Sequence, residues 1–343
     1  MKDKDRYWDC LDQAMEASSG GRTDEALAWL DEALKVEPNG AEAHNSRGEI
    51  LWEEGRCEDA LYEFELAAKA DPKYVVARLN RAEVLIEDMG ETELALEQLD
   101  EMLAGGADQP RLDRASEAEI HYLKARALFL DDDLEGALFL VRRALQTGGD
   151  QGTFRGFEGQ ILFELGRFEE ARRQLEIALA IDPDYSHAVY HLGLTLERLG
   201  DDEGAAKCFE KAAALAPDVH SVPCELGEEE LRKIASETLD DLPRSIRRYV
   251  QDVPVLIEDF PSDEMISREN VSPQILGIFI GTPRTQEAVT AQPEDVTRVI
   301  LFRRNLAKLR SEELEEEIMK TVKHEIGHYL GFDEEALERL GLA

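Results

Sequence analysis

The sequence predicts a multidomain chain: an all-α solenoid of helix-turn-helix repeats followed by a small α+β domain. Three observations carry this. Pro38 and Pro72 stand 34 residues apart, as do Pro183 and Pro217, each after an alanine-rich helical stretch, and a period of that length marks stacked helix pairs. Beyond Pro217 the composition shifts to runs rich in Val, Ile and Phe with flanking Pro and Gly, which read as strands. Near the end, His324, Glu325 and His328 form the pattern H-E-x-x-H. These features divide the chain into a repeat domain over 1–220 and a second domain over 221–343.

Within the repeats, the segment from Ala41 to Pro72 shows the internal logic. Gly48 lies where two helices cross closely, Gly55 lies in the turn, and Ala60, Phe64 and Ala67 line the second helix. The same places are held by Gly159, Gly166, Ala171, Leu175 and Ala178, and again by Gly193, Gly200, Ala205, Phe209 and Ala212. Weaker copies begin near Tyr7, Val75 and Ala118, so six repeats are expected. These residues resemble the tetratricopeptide repeat. Residues 105–119 are too polar to be helical throughout and lengthen the connection after the third unit. The fourth unit carries Asp131, Asp132 and Asp133 where a glycine turn is usual. Lacking the spaced pattern of a calcium loop, they are expected to solvate the turn.

The 343 residues include 75 acids and 39 bases, a formal net charge of -36. Such a chain repels nucleic-acid phosphate and anionic membrane surfaces and favours basic partners. Up to residue 220 there are 49 acids against 24 bases, so most of the acid belongs to the repeats. Cys10, Cys57, Cys208 and Cys224 show no C-x-x-C spacing, as expected of thiols in a reducing compartment. With no apolar leader at the N-terminus and no membrane-spanning run, a cytoplasmic protein is expected.

In the second domain, Leu231, Ile234, Leu239, Leu242, Ile246 and Val250 repeat at helical spacing, with a break or restart at Pro243. Strands are expected over Val253–Asp259, Gln274–Gly281 and Val296–Asn305. A polar connection, TPRTQEAVTAQPED, separates the last two. Ser311 is expected to cap a final helix, with Glu312 and Glu313 in its first turn and Leu314, Ile318, Val322 and Ile326 on its apolar side.

Two histidines four apart on that helix leave one face one turn apart, so their ring nitrogens can converge on a single ion, and Zn2+ suits the pair. A hydrolytic zinc takes three protein ligands and keeps one position open. Gly331 is placed to end the helix, since glycine adopts a positive φ without steric cost. The chain then turns back with Asp333, Glu334 and Glu335. Counted from His324, Glu334 falls at position eleven, where the extended motif places its third ligand.

The stretches LDDLP, VPVLIEDFP, LGIFIG, VILFRRN, TVKHEIGHYLG and EEALERLG, spread over Leu226–Ala343, resemble the minimal zincin-like metallopeptidase family of bacteria. The resemblance implies a zincin-like core in which His324, His328 and a downstream acid bind zinc. That acid is usually aspartate where this chain has Glu334, so Asp333 and Glu335 are rivals for the role. No methionine follows Met319, so the methionine turn of metzincins is absent. A third ligand from a distant later helix is not expected either.

The expected activity is zinc-dependent peptide hydrolysis, with Glu325 as general base. LGIFIG either aligns substrate at a sheet edge or is an ordinary core strand, and Tyr329, Arg303 and Arg304 are candidate oxyanion donors. The repeats are expected to hold a protein or peptide partner, basic or apolar in character, on a concave face. The alternative is a repeat scaffold or adaptor whose zinc-binding domain is catalytically silent.

Overall fold

The computed structural model describes residues 2–105, 112–149, 151–250, 253–281, 298–310 and 312–340. The polar connection expected over 282–295 lies outside these residues, as do Ser311 and residues 106–111 of the connection after the third unit.

Among the described residues, twelve helices come in six consecutive pairs, matching the six expected repeats. They are α1 (Lys2–Ser19) with α2 (Thr23–Val36), α3 (Ala41–Glu53) with α4 (Cys57–Ala70), α5 (Val75–Glu87) with α6 (Thr92–Ala104), α7 (Arg114–Leu130) with α8 (Leu134–Gly148), α9 (Gly152–Glu164) with α10 (Phe168–Ile181), and α11 (Ser186–Arg198) with α12 (Asp202–Leu215). The chain divides into two compact units, Met1–Ile161 and Leu162–Ala343.

In the first unit, small residues set how closely helices approach. A Cβ at Gly48 would meet the Phe64 ring at 2.6 Å. Gly21, Gly55 and Gly90 turn the chain with φ between 66 and 74°, and Asp132 takes the same left-handed conformation with φ 61°. The three aspartates therefore do more than solvate their turn. Asp131 accepts a hydrogen bond from the Thr92 hydroxyl at 2.7 Å, Asp132 makes the turn, and Asp133 caps α8 by accepting from the Gly136 amide at 3.0 Å.

The second unit holds the last helices of the repeats together with a sheet-containing region. Pro243 separates α13 (Glu228–Asp241) from α14 (Arg244–Val250), as expected. Strands β1 (Val255–Glu258), β2 (Gly277–Ile280) and β3 (Arg298–Phe302) follow, with helix α15 (Asp263–Glu269) between the first two. Sequence reading missed α15, which Ser262 caps by accepting from the Met265 amide and Asn270 ends in a left-handed conformation. The strands are shorter than expected; β1 starts only after Pro254, which has no amide hydrogen to donate. The sheet order is β1-β3-β2, with β1 parallel and β2 antiparallel to β3. After a single turn, α16 (Arg303–Leu306), come α17 (Leu314–Leu330) and α18 (Glu334–Leu340). Helix α17 opens with Glu315, Glu316 and Glu317 rather than Glu312 and Glu313, which places three acids on its positive end. Its Ile318, Val322 and Ile326 join Leu231, Val299, Leu301 and Leu306 in the core.

That region is docked on the turns of the last repeats. Lys308 and Glu197 form an ion pair at 2.6 Å with both side chains about one-tenth exposed, and burial pulls the Lys308 amine down while Glu197 opposes it. Arg304 pairs with Asp202 and Arg198 with Asp263. The Phe260 ring lies between Arg198, Arg304 and Lys308, 4.9–5.4 Å from each cation. Ile266 packs over Gly166, where a Cβ would meet it at 2.8 Å.

Candidate metal centre

The last two turns of α17 carry the motif, and the apolar stripe beneath them fixes how they face. With Ile326 and Tyr329 turned into the core, His324 and His328 share the half-buried side of the helix. Their Nε2 atoms face each other at 3.0 Å, with the rings nearly perpendicular at 84°. Glu325 is only 7% exposed.

Helix α17 ends as the sequence predicts. Gly331 adopts φ 90°, its amide donates to the His328 carbonyl at 3.0 Å, and the Phe332 amide reaches back to the Gly327 carbonyl at 3.1 Å. This paired closure satisfies carbonyls that the helix end would otherwise orphan. The chain then reverses, and α18 packs Leu337, fully buried, against Gly327. A Cβ at Gly327 would come within 2.3 Å of a Leu337 methyl. Sequence reading singled out Gly331 and missed Gly327. A glycine inside a helix, at a cost of about 1 kcal/mol relative to alanine, was the available signal.

The three acids after the turn differ in role. Asp333 caps α18, its carboxylate accepting from the Ala336 amide at 2.9 Å. Glu335 is exposed and leans toward Arg339 at 3.9 Å. Glu334 is the first residue of α18, but its side chain lies outside the described residues. Among the described residues, no group of three or more His, Cys, Asp or Glu side chains is gathered for a metal.

The two imidazoles fit zinc. Their 3.0 Å separation is close to the roughly 3.3 Å edge that two zinc–nitrogen bonds of about 2 Å make in a tetrahedron.

Beside the motif, β2 runs under α17. A Cβ at Gly277 would meet the Thr321 methyl at 2.8 Å, three residues before His324. Among the described residues β2 pairs only with β3, so its other edge is a sheet edge. Tyr329 is buried with its ring against Phe279. Arg303 donates to Asp259 and to the Leu226 carbonyl, and Arg304 to Asp202. Those bonds commit Arg303 within the sheet-containing region and Arg304 to the docking on the last repeat, and remove both as oxyanion donors.

Residues 250–342 match the zincin-like metallopeptidase family, and residues 11–75 and 158–220 match the tetratricopeptide repeat family. No curated protein matches the chain. Among solved structures, pilF of Pseudomonas aeruginosa is 15% identical with a TM-score of 0.52, over 69% of this chain and 100% of that one. PilW, a type IV pilus biogenesis factor, is 16% identical with a TM-score of 0.53, over 66% and 98%. The Cut9–Hcn1 assembly is 15% identical with a TM-score of 0.54, over 62% and 40%. At these identities the likeness is one of fold alone.

Proposed function

From a chain that joins a tetratricopeptide-repeat region to a segment of the zincin-like metallopeptidase family, we propose a zinc-dependent peptidase whose repeats engage a protein or peptide partner. The observation that carries this reading is the pair of Nε2 atoms facing each other at 3.0 Å, with Glu325 buried beside the first of them and the chain folded back at Gly331. His324 and His328 would hold the ion through Nε2. Glu334 would complete the set, since Asp333 is committed to capping α18 and Glu335 points along the exposed face of that helix. When bound, zinc supplies Lewis-acid polarisation of a carbonyl and a water acidified toward a pKa of about 7.

The chain's own residues do the rest. Glu325 takes the proton of the attacking water on its carboxylate and delivers it to the departing amine nitrogen. Among the described residues one edge of β2 is unpaired, and it would offer an extended substrate main-chain hydrogen bonds alongside α17. Cysteines free of disulfides support a reducing, cytoplasmic setting. Among the described residues, no helix is long and apolar enough to cross a membrane. On the repeats, the acid excess favours a basic partner segment.

The test is zinc content of the purified chain, followed by cleavage of a peptide library by wild type and Glu325→Gln. One zinc per chain with cleavage by wild type alone is expected. Zinc below about a tenth per chain sinks the reading. A zinc-loaded protein inert in both forms points instead to a scaffold with a catalytically silent metal domain.

A further inference from the structure

The first compact unit contains a groove of about 750 Å3 that nothing in the peptidase reading uses. It is formed by residues of α1, α2, α3 and α5, and its size lies within the roughly 300–1,000 Å3 of specific ligand sites. Three features define the ligand it would accept.

Its walls are apolar and open. Trp8 is 43% exposed and Met15 67%, and Ile50 and Trp52 line the groove with them. A tryptophan and a methionine left in water on one helix are the adaptable anchors that partner surfaces use. Its charged lining is acidic: Asp12, Glu49 and Glu53 contribute carboxylates, and among the described residues no basic one lines it. Arg47, also on α3, is taken up by Asp31 and Glu63.

One of those carboxylates is held in place before any ligand arrives. Oε1 of Glu49 accepts from the side-chain amides of Asn45 and Asn80, both at 3.0 Å, and Asn80 also donates to Asn45 at 3.1 Å. Asn45 is itself buried. A carboxylate fixed by two amides within an apolar groove costs little further ordering when it meets a cation.

We propose that this groove binds a peptide segment in which an arginine or lysine is flanked by bulky apolar side chains, the cation on Glu49 and the apolar groups against Trp8, Met15 and Trp52. The proposal rests on the reading that the repeats take a peptide partner, but not on the peptidase.

The test uses the full chain carrying Glu325→Gln, so that cleavage cannot consume the probe. Three fluorescein-labelled nine-residue peptides are compared by anisotropy: Leu-Arg-Phe in Ser/Gly flanks, the same with Glu for Arg, and the same with Ser for Leu and Phe. The first is expected to bind, with each of the other two weaker by about tenfold or more. Glu49→Gln should weaken the first peptide about tenfold or more and Trp8→Ala comparably, with circular dichroism and melting temperature unchanged for Glu49→Gln. The proposal is overturned if none of the peptides binds, if the Arg and Glu peptides bind equally, or if Glu49→Gln has no effect. It is also overturned if sedimentation equilibrium shows a dimer that Trp8→Ala dissociates, because a second copy then covers the groove. Repeating the titration with His324→Ala separates this outcome from the peptidase reading, since a failure there leaves peptide binding intact.

Discussion

Two helices of this chain carry histidines four residues apart, and they end differently. On α17, the Nε2 atoms of His324 and His328 face each other at 3.0 Å, and Glu325 next to His324 in the chain is buried. On α11, His187 is exposed, while His191 is buried with its ring against Tyr190 and Phe163 and, among the described residues, its Nδ1 has no hydrogen-bond partner. His220, close in space, stacks on Tyr190 instead. Burial pushes the His191 imidazole down to about 3, so it is held neutral as an aromatic core residue. The spacing puts two rings on one face, but the stretch of chain beyond the second ring decides the outcome. After His328 the helix stops at Gly331 and the chain reverses into α18, whereas α11 runs on to Arg198.

The largest effect that would break this contrast is on turnover. Glu325→Gln should keep about one zinc per chain and lose peptide cleavage by at least about 10²-fold, whereas His187→Ala should leave both unchanged. Next comes the metal itself. His324→Ala or His328→Ala should drop zinc to below about a tenth per chain by elemental analysis, and His191→Phe should not. If His187→Ala also removed zinc, the contrast would fail.

A pH titration gives the third test. An unfolded histidine titrates near 6.5, and His191 in the fold titrates near 3. Its folded pKa is depressed, so its contribution to stability is complete above about 6.5 and is lost as pH falls through the range down to 3. In chelator-treated protein, urea unfolding of wild type should lose about 2 kcal/mol from this group between pH 7 and 5, and His191→Phe should lack that component. A wild-type slope unchanged by His191→Phe would place the histidine in water.

The smallest effects concern glycines. Gly193→Ala drives a Cβ to 2.9 Å from the rigid Phe209 ring and should cost about 1–3 kcal/mol with zinc unaffected. Gly327→Ala should cost less, because its Cβ would meet the flexible end of the Leu337 side chain rather than a rigid ring. It should nevertheless weaken zinc in a competition titration, since it displaces Leu337 and with it α18. Equal zinc affinity in wild type and Gly327→Ala would detach α18 from the metal centre.

The features legible in the sequence were the local ones. The repeat pairs announced themselves through proline, alanine and glycine at a fixed period, and the end of α17 at Gly331 came from backbone conformation alone. Helix α15 was missed because SDEMISRE is short and carries only two apolar residues, both of which pack on distant partners. Gly327 stands out in the sequence only as a glycine inside a helix; that it makes room for Leu337 shows only once α18 is known to fold back over it. The roles of Arg303 and Arg304 depended on Asp259 and Asp202, which no spacing rule connects to them. Asp131, Asp132 and Asp133 looked interchangeable, yet geometry gave each a separate task.

The cage of cations around Phe260 has a practical consequence for anyone who would cut this protein apart. A fragment cloned from residue 221 onward keeps Arg304 and Lys308 but discards Glu197, Arg198 and Asp202, leaving an ammonium group that was buried without its counter-charge. Expression of the half that carries the histidine motif is better started upstream of α11. By the same token, recombination that transplanted the sheet alone onto another scaffold would inherit an unfinished wall.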